Sequence, residues 1–154
     1  MTLKEVIKYF KDNGLEERIV IFDESTATSA LAAQALGCEE SRIAKSITFK
    51  DKDGGAIMIV TSGVKKIDSK KFKSVFGVKP KMLTPEEVVE LTGYHVGGVC
   101  PFLVREGCKV YIDESLKEFD FVYPACGSDN STIKLSIPEL VEHSKALNFV
   151  DVCK

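Results

Sequence analysis

The sequence contains no run of about 18 or more apolar residues, which is the length that a membrane-spanning helix needs. Its first residues, Met1-Thr2-Leu3-Lys4-Glu5, include an acid and lead into no apolar core segment, unlike a secretory signal peptide. We therefore expect a cytoplasmic protein that does not associate with a membrane.

Motifs for metal binding are also missing. The five cysteines form no C-x-x-C pair, and the two histidines, His95 and His143, offer no metal-ligand spacing. Because the number of cysteines is odd and the chain is not small, we expect reduced, mostly buried thiols. The sequence thus predicts neither a metal nor another cofactor.

Charge is unevenly distributed along the chain. The net charge of −2 argues weakly against general nucleic-acid binding. However, seven lysines and a single acid, Asp68, lie between Lys65 and Lys81, which gives this stretch a local charge of +6. It is either a surface that meets a phosphate backbone at one place or a solvated, lysine-rich helix.

Polar caps, glycines and apolar patterns predict five helices and at least seven strands. The helices are expected after Thr2, over Ser29–Leu36, from Asp68 to Gly77, from Thr84 to Gly93, and after Ser136. The strands are expected at residues 18–22 (short and buried), 43–50, 56–61, 102–104, 109–112, 118–123 and 132–135. Hairpins occur and strict strand–helix alternation does not. The pattern predicts one α+β domain over residues 1–154, with a strongly curved, barrel-like mixed sheet flanked by helices.

Lys45 is the most informative residue of the predicted strands. It shares one face with Ile43, Ile47 and Phe49, and that apolar face is expected to point toward the core. An unpaired buried ammonium is costly, so Lys45 needs a reason to be there. An anionic ligand in a cleft, a carboxylate partner or an escape to the sheet edge would each provide one.

Two glycine-containing loops are candidates for lining a site. The adjacent glycines of Gly97-Gly98-Val99-Cys100-Pro101 let backbone N–H groups approach a ligand closely, although a plain tight connection has the same composition. Cys100 with His95 as its base is a weak candidate nucleophile, and a space-filling thiol is favoured. The turn at residues 127–131 either lines a site with amides and hydroxyls or faces solvent.

The order of these motifs along the chain resembles the family of YbaK and the prolyl-tRNA-synthetase-associated editing domain. The resemblance extends from about residue 5 to residue 145. Each motif alone is weak evidence for the family, whereas the motifs in this order are specific to it. Its motifs are Ser25-Thr26-Ala27-Thr28, Leu36-Gly37, Ile43-Ala44-Lys45-Ser46-Ile47, Val60-Thr61-Ser62-Gly63, Asp68 to Lys71, Thr92-Gly93-Tyr94, Val96-Gly97-Gly98-Val99, Cys100-Pro101-Phe102, Gly127-Ser128 and Ile133-Lys134-Leu135.

The resemblance implies a compact α+β fold and specific site residues. Lys45 would be the essential lysine, Gly97 and Gly98 the loop glycines that approach the aminoacyl adenosine, and Cys100 stands where many relatives have serine. The expected substrate-binding residues are Phe22, Thr26, Ser46, Val99, Cys100, Pro101, Gly127 and Ser128. Lys65, Lys66, Lys70 and Lys71 are the candidate tRNA contacts.

The activity implied by the resemblance is hydrolysis of the ester that joins a wrongly attached amino acid to tRNA. Alanine, cysteine and serine are candidate amino acids, the tRNA for proline is the expected carrier, and prolyl-tRNA synthetase is a further candidate partner. The chain carries no synthetase body and so resembles the trans-acting members. A non-catalytic tRNA- or synthetase-binding module and a small-molecule hydrolase on the same fold are the alternatives.

Overall fold

The computed structural model describes residues 2–154 and contains five α-helices. They are Leu3–Asp12 (α1), Ser29–Leu36 (α2), Ser69–Phe76 (α3), Pro85–Thr92 (α4) and Ile137–Ser144 (α5). Each begins at a polar side chain that accepts a hydrogen bond from a first-turn amide; these caps are Thr2, Thr28, Asp68, Thr84 and Ser136. The helix predictions are confirmed. They could be made because the capping signals lie within a few residues of each helix end.

Within residues 2–154, eight strands form two sheets. They are Ile19–Ile21 (β1), Ile43–Lys50 (β2), Ala56–Ser62 (β3), Cys108–Asp113 (β4), Phe121–Pro124 (β5), Ser131–Ile133 (β6), Leu135–Ser136 (β7) and Asn148–Val150 (β8). The larger sheet is mixed, in the order β7-β5-β2-β3-β4-β8, and β1 pairs with β6 in the smaller one. A bridge between Ala125 and Thr132 joins the two sheets. The predicted α+β fold with a curved mixed sheet is confirmed.

The central strand β3 is buried along its whole length and separates two apolar clusters. Met58 and Val60 face a large cluster that contains Phe10 of α1 and Leu140 of α5. Residues on the opposite face pack with α3 and the C-terminal segment around Phe72. Covering both faces of β3 fixes the adjacent β2, which carries Lys45.

Three of the strands predicted after residue 100 differ from the structure. Residues 102–104 form no strand, since Pro101 offers no N–H and Leu103 adopts a φ of 54°. Residues 114–118 form a 3₁₀ turn, so β5 begins only at Phe121. The stretch 132–135 divides between β6, which pairs with β1, and β7, which pairs with β5.

The first strand is shorter and more exposed than predicted. Val20 is 39% exposed and Ile21 is 55% exposed, because β1 pairs with β6 on one side and, among residues 2–154, with no strand on the other. The prediction of a buried strand is therefore wrong at these two positions. The apolar composition of a two-stranded ribbon does not reveal which of its sides is covered.

Candidate active site

A cavity of about 390 Å³ opens between the start of α2, the outer edge of β2, the start of α4 and the loop at 95–101. Its wall is mostly apolar with several hydroxyl groups. Among residues 2–154, Lys45 is the only charged side chain in that wall. A molecule bound in this cavity therefore meets one positive charge and no carboxylate.

Strand β2 carries Lys45 to the cavity wall. Its ammonium Nζ donates a hydrogen bond to the carbonyl oxygen of Gly63 at 3.3 Å. Burial lowers the pKa of the Lys45 amine, and the neighbouring charge of Lys66 acts in the same direction. The carbonyl fixes the position of the ammonium without neutralising it, so its charge remains available to an anionic or polarised ligand atom.

Gly63 is wedged where the end of β3 meets the start of α2. A methyl group on its Cα would lie 2.6 Å from the Glu40 carbonyl oxygen and 2.8 Å from Cβ of Ser29. The Gly63 amide also donates to the Ile43 carbonyl at 2.7 Å. Only glycine fits this gap without displacing its neighbours, so the carbonyl that holds Lys45 is itself held in place.

The outer edge of β2 is only partly covered. Strand β5 pairs with it as far as Ala44, and the Thr48 carbonyl accepts a hydrogen bond from the Leu83 amide at 3.3 Å. Ser46 lies between these two contacts, at a point where no strand of residues 2–154 pairs with the outer edge. Since Ser46 lines the cavity, this gap in the sheet opens onto the candidate site.

The loop at 95–101, called the glycine loop below, lines the cavity with Gly97 and Val99. Gly97 has a φ of 92°, which favours glycine, and its amide and that of Val99 have no acceptor within residues 2–154. Gly98 does not line the cavity: its amide donates to the His95 carbonyl at 3.0 Å. The amides of Gly97 and Val99, on either side of Gly98, are therefore free donors of residues that line the cavity.

The glycine loop is anchored at both sides. An added Cβ on Gly98 would lie 3.1 Å from the Gly127 carbonyl oxygen, so the loop packs directly on the turn at 127–131. The Tyr94 hydroxyl donates to the Phe102 carbonyl, and the Phe102 ring packs edge-on against Phe10 with centroids 4.8 Å apart. The amides of the loop are consequently held in one arrangement.

Cys100 and Pro101 are buried beneath the loop and do not line the cavity, contrary to the expectation that they contact substrate. Burial raises the pKa of the Cys100 thiol to about 11, and its Sγ lies 3.9 Å from the Phe102 carbonyl oxygen. At neutral pH this side chain is a thiol that fills space, which argues against the cysteine-nucleophile reading.

The turn at 127–131 supports the opposite rim. Ser128 lines the cavity, and its hydroxyl bonds to the Ser131 hydroxyl at 2.6 Å. Asn130 exchanges hydrogen bonds with the main chain of Phe22, which brings Thr26 to the cavity wall. Phe22 and Gly127 themselves lie outside the lining, so their contribution is to position their neighbours.

The residues matched by the model of the aminoacyl-tRNA editing domain are 23–143, most of the chain. The chain belongs to the aminoacyl-tRNA editing domain family. The matched segment contains the whole cavity described above, including Lys45 and the glycine loop.

Relatives of this editing domain include free-standing proteins and segments of synthetases. This chain is 46% identical over all 154 residues to the uncharacterized protein YwhH of Bacillus subtilis, and the match covers 98% of that protein. A solved structure described as a candidate trans-editing enzyme for prolyl tRNA synthetase is 31% identical, with a TM-score of 0.87, covering 99% of this chain and 96% of that one. The proline–tRNA ligase of Thermosipho melanesiensis is 30% identical over 107 residues, which are 69% of this chain and 19% of the ligase.

The four lysines proposed as tRNA contacts lie outside the cavity lining and differ in their surroundings. Lys66 and Lys70 are exposed, whereas Lys65 is half-buried. Lys71 bonds to the Asp151 carboxylate at 3.0 Å and to the Cys153 carbonyl at 2.9 Å, so it also holds the C-terminal segment. The first three lysines are better placed than Lys71 to meet a phosphate.

All five cysteines are free thiols, and four of them are buried, which confirms that expectation. Among residues 2–154, no three His, Cys, Asp or Glu side chains come together in a way that could hold a metal ion. No helix in this part of the chain is long and apolar enough to cross a membrane.

Gly63, Thr48 and Thr132 are among the site residues that sequence reasoning missed. Gly63 belongs to a motif of the resemblance, but no role was predicted for it. Thr48 and Thr132, on β2 and β6, line the cavity although neither was singled out. Nothing in the local pattern separates these two threonines from ordinary strand threonines, because their importance comes from the strands meeting around one cavity.

Proposed function

We propose that this editing domain is a trans-acting deacylase that removes a small, wrongly attached amino acid from tRNA, the carrier being the tRNA for proline. Alanine, cysteine and serine are the candidate amino acids. The observation that carries the proposal is that one cavity is lined by Lys45 and by Gly97 and Val99, whose amides have no acceptor within residues 2–154. Similarity to a candidate trans-editing enzyme and to part of a proline–tRNA ligase supports the choice of tRNA.

The proposed reaction is hydrolysis of the aminoacyl ester. Water adds to the ester carbonyl, the bond between that carbon and the ribose oxygen breaks, and the products are the free amino acid and tRNA with a free ribose hydroxyl. Negative charge develops on the former carbonyl oxygen, where the amides of Gly97 and Val99 would stabilise it. Because the ester is already activated, moderate stabilisation is sufficient.

Lys45 acts in this proposal as a fixed cation. The Gly63 carbonyl holds its amine by a hydrogen bond, and the wall of the cavity, as far as residues 2–154 form it, contains no carboxylate that would neutralise its charge. A lysine would need a large fall in pKa to serve as a general base near neutrality. We therefore assign Lys45 to the terminal phosphate or the ester carbonyl, and the vicinal ribose hydroxyl to assistance in activating the water.

A cavity that selects by size would explain why a separate editing site is useful. A synthetase rejects a smaller or nearly isosteric amino acid poorly, because one methylene is worth only about 1–3 kcal/mol. A second site that admits only small side chains can hydrolyse the resulting errors. Leu83, Val88 and Val99 close the apolar part of the cavity and would set this size limit.

The lysine-rich surface near Lys45 is the proposed contact for the tRNA backbone. Lys65 and Lys66 follow the end of β3, and Lys70 stands in the first turn of α3. Lys66 is near enough to Lys45 to lower the pKa of the Lys45 amine. A phosphate chain that leaves the cavity beside Lys45 would meet these side chains.

We further propose that residues 1–154 act as one functional unit in the cytoplasm, where tRNA is charged.

The test is a deacylation assay on tRNA for proline charged separately with alanine, cysteine, serine and proline. We expect Lys45→Ala to lower the rate constant on the preferred substrate by about 100-fold or more, since it removes a positioned charge. Lys11→Ala, an exposed lysine of α1 outside the cavity, is the matched control and should be unchanged. Wild-type activity in Lys45→Ala would refute the role of the lysine. Binding of these tRNAs without any hydrolysis would favour the non-catalytic module.

A further inference from the structure

Several residues of the cavity wall carry hydroxyl groups without a hydrogen-bond partner among residues 2–154, and three of these residues lie on strands β2 and β6. Ser46 and Thr48 stand on the same face of β2, and Thr132 stands on β6. Thr132 is 3% exposed, and its Oγ1 is a buried side-chain polar atom without a partner. A buried hydroxyl left in this state costs about 1–3 kcal/mol, so its presence calls for a polar group from outside the chain.

The group that these hydroxyls bind should be neutral. The α-ammonium of an aminoacyl ester could also occupy this place, but no carboxylate from residues 2–154 lines the cavity and Lys45 adds a positive charge. Burying an ammonium beside Thr132 would leave it without a counter-charge, which is far more costly than burying a hydroxyl. A side-chain hydroxyl of the substrate fits these constraints better.

Both threonines line the cavity, and the main chain of each is held by hydrogen bonds to a neighbouring segment. Thr48 is 6% exposed, and its main chain is fixed by the Leu83 amide at 3.3 Å. Thr132 is fixed by pairing with Val20 and by its bridge to Ala125. A rotation of about 120° about χ1 can carry the hydroxyl of a threonine to the position that its methyl group occupied, so each side chain can turn its oxygen to a ligand without moving the backbone.

We propose that Thr132, assisted by Thr48, is a specificity-determining residue that selects an aminoacyl group with a side-chain hydroxyl, as in serine, over one with a methyl group, as in alanine. This inference rests on the proposed deacylase function and narrows its substrate class. A site whose buried polar groups are satisfied only by the substrate hydroxyl discriminates against the analogue that lacks it.

The experiment compares deacylation of seryl- and alanyl-tRNA by wild-type protein, Thr132→Val and Thr132→Ser. We expect wild-type protein to hydrolyse the seryl ester at least about tenfold faster. Thr132→Val should remove about tenfold from the seryl rate and change the alanyl rate by less than about twofold, whereas Thr132→Ser should keep the preference. Thr132→Val replaces an unpartnered hydroxyl by a methyl group of similar shape, so its melting temperature should equal or exceed that of wild type.

Each other outcome has a defined meaning. Equal losses on both esters would place Thr132 against a group common to all substrates and overturn the inference. Hydrolysis of alanyl-tRNA without a preference for serine would overturn it while leaving the deacylase function intact. Absence of hydrolysis of any aminoacyl-tRNA would overturn both. Thr48→Val provides a second, independent variant, with a smaller loss of the same selectivity expected.

Discussion

Replacing Gly63 by alanine should damage stability and catalysis together. The added Cβ would lie 2.6 Å from the Glu40 carbonyl oxygen and 2.8 Å from Cβ of Ser29, whereas ordinary contacts begin at 3.4 Å. One of these atoms belongs to the backbone, so the end of β3 must move away from α2 by several tenths of an ångström. The Gly63 carbonyl, which accepts the hydrogen bond from Lys45, moves with it.

The size of both effects follows from this displacement. Overpacking of this kind costs about 1–3 kcal/mol of folding free energy. For a chain of this length, each kcal/mol lowers the melting temperature by about 2–4 °C, so we expect a fall of about 2–12 °C. A shift of about 1 Å in a positioned group can reduce catalysis by about 100-fold, so the deacylation rate constant should fall by about 10- to 100-fold.

Thermal unfolding followed by circular dichroism and single-turnover deacylation would measure the two effects. Gly107→Ala is the matched control, because a Cβ on Gly107 meets nothing within 4 Å and its φ is not left-handed. The control should keep the melting temperature within about 2 °C and the activity within about twofold of wild type. A Gly63→Ala protein with wild-type stability and activity would show that the close packing described here does not position Lys45.

Three further predictions concern Lys45, Thr84 and Cys100. Burial lowers the pKa of Lys45 in the folded protein below its ordinary value of 10.5, so the charge of the protonated amine opposes folding at neutral pH. The free energy of unfolding of the wild-type protein should therefore rise as the pH increases from the lowered pKa toward 10.5. Lys45→Met should therefore melt at a higher temperature than wild type at pH 7.5, with the difference narrowing toward pH 10; a lower melting temperature would contradict this. Thr84→Ala removes the capping box of α4 and should cost about 1 kcal/mol in denaturant unfolding, whereas Thr84→Ser should cost much less. Cys100→Ala should retain deacylation within about threefold while losing about 1–2 kcal/mol of stability, and loss of activity in a fully folded variant would restore the nucleophile reading.

Helix ends could be predicted from the sequence because their signals lie within a few residues. Thr84 and Glu87 form the capping box that their spacing indicates, and Gly77 ends α3 with a φ of 77°. Strand pairing depends instead on distant partners. The division of residues 132–135 between two sheets requires knowledge of where β1 and β5 lie, and β8 was missed because three residues after a helix carry little pattern.

The site could be predicted only in part for the same reason. Alternation along β2 placed Lys45 on an apolar face, but its meeting with the glycine loop was inferred from the family resemblance. The local sequence does not indicate that the Gly98 amide bonds to His95 and that its neighbours remain free. The unpartnered hydroxyl of Thr132 is likewise invisible until β6 is placed beside the cavity.

The anchoring of the glycine loop by Tyr94 has a consequence for how sequence changes can impair this protein. The Tyr94 ring is fully buried and lies outside the cavity lining, yet its hydroxyl holds the Phe102 carbonyl at one end of the loop. A substitution that weakens the packing around the Tyr94 ring would displace the Gly97 and Val99 amides, although it changes no residue that lines the cavity. The proposed deacylation would then slow in a protein that is still folded.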